Sequence, residues 1–225
     1  MTTLMTWPGC TRCVGAAIAL LSLASCGSRP PVPDWQMNAH AAAEKATSAY
    51  LSGDTRVAEL EWSRARAEVA RTGRPDRVAR VELMRCAAQV ASLDTQTCTA
   101  FEALRADADP ADQAYADYLS GRGDPANASL LPAPQQAAAG NPASITAIAD
   151  PLSRLVAAGV AHRAGTAPAG LDAVATDTAS AQGWRRPLLA WLLLRAQGAE
   201  RSGDAAQADA LKRRIALVER QGVPP

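Results

Sequence analysis

Apolar residues recur along this chain at steps of three and four. That is the spacing of one face of an α-helix, not the alternation of a half-buried strand. Trp35, Ala39, Ala42, Ala46 and Ala49 form the first such stripe. They predict a helix from about Trp35 to Leu51, with Asp34 placed to cap its N-terminus. Gly53 ends it, Asp54 can cap the next, and Ala58, Trp62, Ala65 and Val69 give the second stripe. Small residues facing a bulky tryptophan suit a tight helical hairpin. A third helix is expected over Asp76–Ser92, where Val78, Val81, Leu83, Met84, Cys86 and Val90 spread around most of the circumference. A helix apolar on nearly every side is a central, buried one.

Shorter helices are expected at about 95–106, with Asp94 as its cap, and at 110–120. Residues 121–144 then carry Pro125, Pro132, Pro134 and Pro142. This is a long connection with room for a short helix near 134–139. Helical spacing resumes with Ile145, Ile148, Leu152, Leu155 and Gly159. Asp150-Pro151 gives the cap and first-turn proline of that helix. Thr166 and Pro168 repeat this signature ahead of a helix reaching about Ala181. Pro187 opens the run Leu188 to Leu194, too short for a bilayer that needs roughly 20 apolar residues, and so a core helix. Gly203-Asp204 makes a further turn. Ala208, Leu211, Ile215 and Val218 stripe the last helix, closed by Gly222 and Pro224.

Composition agrees with this pattern. Of 225 residues, 52 are alanine, four isoleucine, one phenylalanine and three tyrosine. A sandwich or barrel wants more β-branched and aromatic residues; alanine, leucine and arginine favour helices. The expected fold class is therefore all-α, an irregular antiparallel helical-hairpin array without a sheet. Hydrophobic residues at 48% against 20% charged exclude a chain kept disordered by charge. A net charge of +1 leaves no basic footprint for nucleic acid.

The N-terminus has its own organisation. Arg12 precedes an apolar run, Val14 to Ala24, of about 11 residues, the length of the apolar core of a secretory signal. It ends in Leu23-Ala24-Ser25-Cys26, which resembles the lipobox of bacterial lipoproteins. The resemblance implies cleavage before Cys26, a diacylglyceryl group on its thiol and acylation of its new amine. The lipid bilayer is then a partner of the chain through Cys26, because two or more acyl chains anchor firmly where one does not. Gly27 in place of Asp at the next position implies sorting to the outer membrane, facing the periplasm. An ordinary cleaved signal is the alternative. The expected organisation is 1–25 signal, 26–33 tether, 34–121 N-terminal helical part, 122–144 connection and 145–225 C-terminal helical part. Removing 1–25 takes Arg12 away and leaves 22 basic and 22 acidic side chains.

Five cysteines then divide unequally. Cys10 and Cys13 lie ahead of the apolar run and would leave with the signal, and Cys26 would be lipidated. Cys86 and Cys98 remain, and an exported chain meets an oxidising compartment, so a disulfide between them is expected. With Asp94 capping the following helix, the two would face each other across antiparallel neighbours. Two buried free thiols are the alternative.

Gly53, Ala58, Trp62 and Ala65 carry a second resemblance, to the tetratricopeptide repeat, which sets a small residue, an aromatic and an alanine at these offsets after the turn glycine. The large first-helix residue and the closing proline of that pattern are missing here. Tyr50-Leu51-Ser52-Gly53 returns as Tyr118-Leu119-Ser120-Gly121, twice a 34-residue period later. Position 87, where an intervening repeat would turn, falls inside the third predicted helix, so any array is irregular.

Catalytic motifs are absent from the sequence. No Gly-x-Ser-x-Gly, His-Glu-x-x-His or phosphate-cradling loop occurs. His40 falls on a solvent face and His162 near a helix C-terminus, where its charge suits the dipole. No catalytic, cofactor or metal residue is assigned. Arg122-Gly123-Asp124 and Asn127-Ala128-Ser129 match short binding and glycosylation motifs that carry no weight at this length. Trp184, Arg185 and Arg186 are the candidate partner-binding group: two guanidiniums at a helix start oppose its dipole unless they meet an anion or carboxylate. The sequence thus predicts a non-catalytic interaction or assembly module of the cell envelope, binding an envelope protein. An envelope enzyme acting on wall or lipid, or a carrier of a small ligand, are the alternatives. The chain leaves the oligomeric state open.

Overall fold

The computed structural model describes residues 31–96 and 98–220. Within them every regular element is helical, and no strand occurs. Helix α1 (Asp34–Ser52) and helix α2 (Thr55–Ala70) form the expected hairpin. Ala39, Ala42, Ala43 and Ala46 pack there with Ala58, Trp62, Ala65 and Val69, all buried. Asp54 caps α2, its Oδ1 accepting from the Val57 N–H at 3.0 Å. Gly53 makes the turn possible at φ +91°. Its N–H returns to the Tyr50 carbonyl at 3.0 Å and the Asp54 N–H to Ala49 at 2.8 Å, which satisfies the helix-end carbonyls.

The repeated Tyr-Leu-Ser-Gly is the same device. Gly121 N–H returns to Tyr118 at 2.9 Å and Arg122 N–H to Asp117 at 3.0 Å. The two turns lead into different structure: a full helix after Gly53, short 3-10 and helical turns after Gly121. The echo therefore marks a shared way of ending a helix.

Helix α3 (Pro75–Ala91) is central, as its pattern predicts. Val78, Val81 and Ala88 join the α1–α2 cluster, while Ala79, Leu83, Cys86, Ala87, Val90 and Ala91 belong to a larger cluster that extends to Ile215. The larger cluster draws on residues from both sides of the 122–144 connection.

Two predicted boundaries shift. Asp94 does not cap the next helix. Its N–H closes α3 on the Gln89 carbonyl at 3.0 Å, and its carboxylate accepts from the Gln96 N–H at 3.0 Å. The expected 95–106 helix is reduced to one turn, α4 (Thr99–Glu102), and a 3-10 turn at Arg105–Asp107. Cys86 and Cys98 are joined as a disulfide with a Cα separation of 5.5 Å, within the usual bridging range. The bond ties α3 to the entry of α4 rather than linking two long antiparallel helices. A single turn cannot stand alone, since nucleation costs more than so few bonds return.

Helix α5 (Pro110–Leu119) and helix α6 (Ala133–Gly140) come next, with 3-10 turns at Pro125–Leu130 and Pro142–Ala147. Ile145 and Ile148 therefore belong to a 3-10 turn and its end, not to the next helix. Helix α7 (Pro151–Arg163) is capped by Asp150, which accepts from the Ser153 N–H at 2.7 Å. All seven residues Leu155–Ala161 are buried, so α7 is enclosed on every side and not striped.

Thr166 does not open the next helix either. Its N–H returns to the Ala161 carbonyl at 2.9 Å to finish α7, and helix α8 (Leu171–Ala181) starts behind Gly170. Helix α9 (Arg185–Ser202) and helix α10 (Ala205–Arg220) make the last hairpin, with Ala208, Leu211 and Ile215 buried as expected. Gly222, Pro224 and all residues up to 30, including Cys10, Cys13 and Cys26, lie outside the described residues.

Helices α3 and α7 meet closely at Gly159. A Cβ on Gly159 would stand 2.2 Å from the Val90 carbonyl oxygen, and both neighbours are backbone-fixed. Gly159→Ala should therefore cost at least about 3 kcal/mol through forced separation of the helices. Gly198, inside α9, has nothing within 4 Å of such a Cβ, and Gly198→Ala should stabilise by about 0.5–1 kcal/mol. Urea unfolding of both variants checks the pair of opposite signs.

Candidate functional site

Trp184, Arg185 and Arg186, the predicted partner-binding group, all sit where the last part of the chain meets α1 and α2. Trp184 is half-buried and packs against both hydrophobic clusters. Arg186 reaches across to the C-terminal end of α1. Its Nε donates to the Tyr50 carbonyl at 2.8 Å, its Nη2 donates to the Thr55 hydroxyl at 2.6 Å, and its guanidinium lies 4.3 Å from the Tyr50 ring centroid. Arg185 covers Gly53, where a Cβ would meet its Nε at 3.3 Å.

The anion demanded by a basic helix start is thus supplied from within the chain. The C-terminus of α1 presents the negative end of a helix dipole, and a planar fork can serve its carbonyl and the next helix's threonine together. Tyr50 completes the site. Burial and the nearby Asp94 carboxylate push its phenol up to about 12, and its hydroxyl faces Asp94 Oδ2 at 3.4 Å.

A concavity lies between α5, α6, α7 and the 122–144 segment. It is a recess of about 430 Å3. The space exists because Gly121, Gly123, Ala138, Ala157 and Ala161 border it with little or no side chain. Its wall is braced by a buried polar chain: Tyr118 donates to Gln135 Oε1 at 3.0 Å, and Gln135 Nε2 donates to the Ser153 carbonyl at 3.0 Å. Burial raises the phenol pKa of both Tyr118 and Tyr115, which stacks beside it. Asp124 and Asn127 also border the recess.

The Arg122-Gly123-Asp124 triplet has structural work here. Asp124 accepts from the Ala126 N–H at 2.9 Å, and a Cβ on Gly123 would press on the Tyr118 Cα at 3.1 Å. Gln135 and the recess have no motif in the sequence. Their one signal is the density of alanine and glycine on both sides of the connection, which reads equally as loop and as space.

The histidines stand apart from this concavity and from the Arg186 site. His40 Nε2 lies 3.2 Å from Glu44 Oε1, one turn along α1, with side chains 70% and 66% exposed. His162 is exposed in the last turn of α7, edge-on to Trp191 at 6.1 Å. Where a carboxylate's pKa moves, it moves down. Glu61 is held ionised by Lys45 and Arg64, Asp76 by Arg74 and Glu102 by Arg105. Among the described residues, no group of three or more His, Cys, Asp or Glu side chains is placed to hold a metal ion. No helix there is long and apolar enough to cross a membrane.

Comparison with protein-family models, with curated proteins and with solved structures found no match.

The geometry of Arg186 separates two roles. Arg186→Lys keeps the charge but loses the fork, and should cost about 1–3 kcal/mol of stability. Thermal unfolding of the variant reads this. A residue serving only an outside partner would leave the melting temperature unchanged.

Proposed function

We propose that this chain is a lipid-anchored, non-catalytic binding module of a bacterial cell envelope, held at the periplasmic face of the outer membrane. The observation that carries the reading is an order of segments. The Leu23-Ala24-Ser25-Cys26 box precedes a Pro-rich tether, and the helical array begins at Asp34, eight residues after the cysteine. Polyproline-like residues span about 3.1 Å each, so a tether of this length reaches at most roughly 25 Å.

The Cys86–Cys98 bond supports an oxidising location. A helical array with a surface recess supports binding, and an envelope protein is the partner class that fits an anchored array. If Cys26 carries the lipid, Cys26→Ser should move the protein from the membrane pellet to the soluble fraction. Continued pelleting would refute the anchor.

The recess favours a second reading, a carrier of a small ligand. Its roughly 430 Å3 would take on the order of fourteen non-hydrogen atoms at about 30 Å3 each. Its alanine-rich wall suits an uncharged, mostly apolar molecule. 1-Dodecanol should bind in titration calorimetry, and Ala161→Leu, which fills the space, should abolish the heat while the fold persists. Unchanged binding by Ala161→Leu would exclude the recess as the site.

A further inference from the structure

The start of α1 and the turn from α2 to α3 lie at one end of the array. Asp34 and Trp35 face Arg71, Arg74 and Arg77 there across an open hollow of about 680 Å3. Tyr50 and the Arg186 junction lie at the other end of α1, which has 19 residues and so spans about 28 Å at roughly 1.5 Å per residue. Trp35 is half-buried and packs against the α1–α2 cluster, which fixes its ring. The Arg77 guanidinium lies 4.8 Å from the centroid of that ring. Its neighbours are engaged with acids: Arg71 pairs with Glu68 at 2.9 Å and Arg74 with Asp76 at 2.7 Å. Among the described residues Arg77 forms no such ion pair. Met37, in the same first turn of α1, is 52% exposed.

This combination suits the boundary between lipid and water. A tryptophan with an apolar body and a polar N–H is most stable at the level of the headgroups. An arginine can lay its stem along the ring and keep its guanidinium for a phosphate. Long-range charge is not the attraction. Asp34, Glu68 and Asp76 balance Arg71, Arg74 and Arg77, so the end is neutral as a whole. A zwitterionic phospholipid therefore serves as well as an anionic one.

The chain length ahead of α1 selects the lipid over a protein partner. Asp34 follows Cys26 by eight residues, so an acylated Cys26 keeps this end within roughly 25 Å of the bilayer. So few side chains would not hold an untethered chain. A short tether makes the contact intramolecular, at an effective concentration on the order of millimolar, and a weak contact then suffices. We propose that this end of the array docks on the phospholipid surface, with Trp35 and Met37 at the headgroup level and Arg77 on a lipid phosphate. Helix α1 then stands up from the membrane and holds the Arg186 junction about 28 Å farther out. The proposal rests on the anchor at Cys26.

The test uses the mature chain extracted from membranes and reconstituted in phosphatidylcholine vesicles with acyl chains brominated near the headgroup. Flotation with the vesicles reads the anchor. Quenching of tryptophan fluorescence by bromine, against unbrominated vesicles, reads the docking. The chain is expected to float and to be quenched. Trp35→Phe should abolish the quenching while the chain still floats, and Arg77→Gln should reduce it with the melting temperature kept. A chain that floats but is not quenched overturns the docking and leaves the anchor standing, the result expected if a protein covers this end instead. Quenching that survives Trp35→Phe, or that Arg77→Gln leaves unchanged, also overturns it. A chain that does not float refutes the anchor, and the docking with it.

Discussion

The structure turns on the approach of α7 to α3 at Gly159. Without a side chain there, α7 lies directly on the Val90 carbonyl, and a single methyl group would stand 2.2 Å from that oxygen. Other features converge on the same end of α3. The Trp191 indole donates to the Ala91 carbonyl, the Ser92 hydroxyl donates to Ala88 at 3.1 Å, and Cys86 carries the disulfide. Because α3 contributes residues to both hydrophobic clusters, this junction joins the two. Leu93 shows how fixed it is: it takes a left-handed φ of 55° at the end of α3, where a glycine is usual.

An alanine-rich array packs closely but has little side-chain reach, and arginine compensates for that. Arg186 binds the Tyr50 carbonyl, Arg163 binds the Leu119 carbonyl at 3.0 Å and the Asp94 carbonyl at 2.5 Å, and Arg154 binds the Ile148 carbonyl through two nitrogens. Leu119 ends α5, and Tyr50 lies in the last turn of α1, so two of these forks bind carbonyls at helix C-termini, the Tyr50 carbonyl accepting from both Arg186 and the Gly53 N–H. Burial lowers the Arg163 pKa, the desolvation cost of placing a charge there. Its carbonyl partners and the negative end of a helix offset that cost.

The recess takes its character from its walls. The recess beside α7 is space left by glycine and alanine, braced by the Tyr118–Gln135 pair, and it suits apolar matter.

The sequence by itself determined most of the elements: α1, α2 and α3 match their periodicity and caps within a residue or two, α7 and α10 start where their caps and turn predict, and an all-helical class follows from composition. These are local properties, set by steric preference and by bonds to neighbours within five residues. The pairing of Cys86 with Cys98 was legible as well, because these two are the cysteines of the chain that follow the N-terminal apolar segment and its box. The departures are equally physical. Asp94 and Thr166 look like helix caps, yet the Asp94 carboxylate accepts from the Gln96 N–H and the Thr166 hydroxyl donates back to the Ala161 carbonyl, so neither side chain serves the first turn of a following helix. The role of Arg186 could not be read, because its partner Tyr50 lies 136 residues away and the anion it needs is a backbone carbonyl with no sequence signature. The recess was hidden for a related reason. Empty space belongs to no residue, and arises only when the packing of several helices decides which side chains face each other.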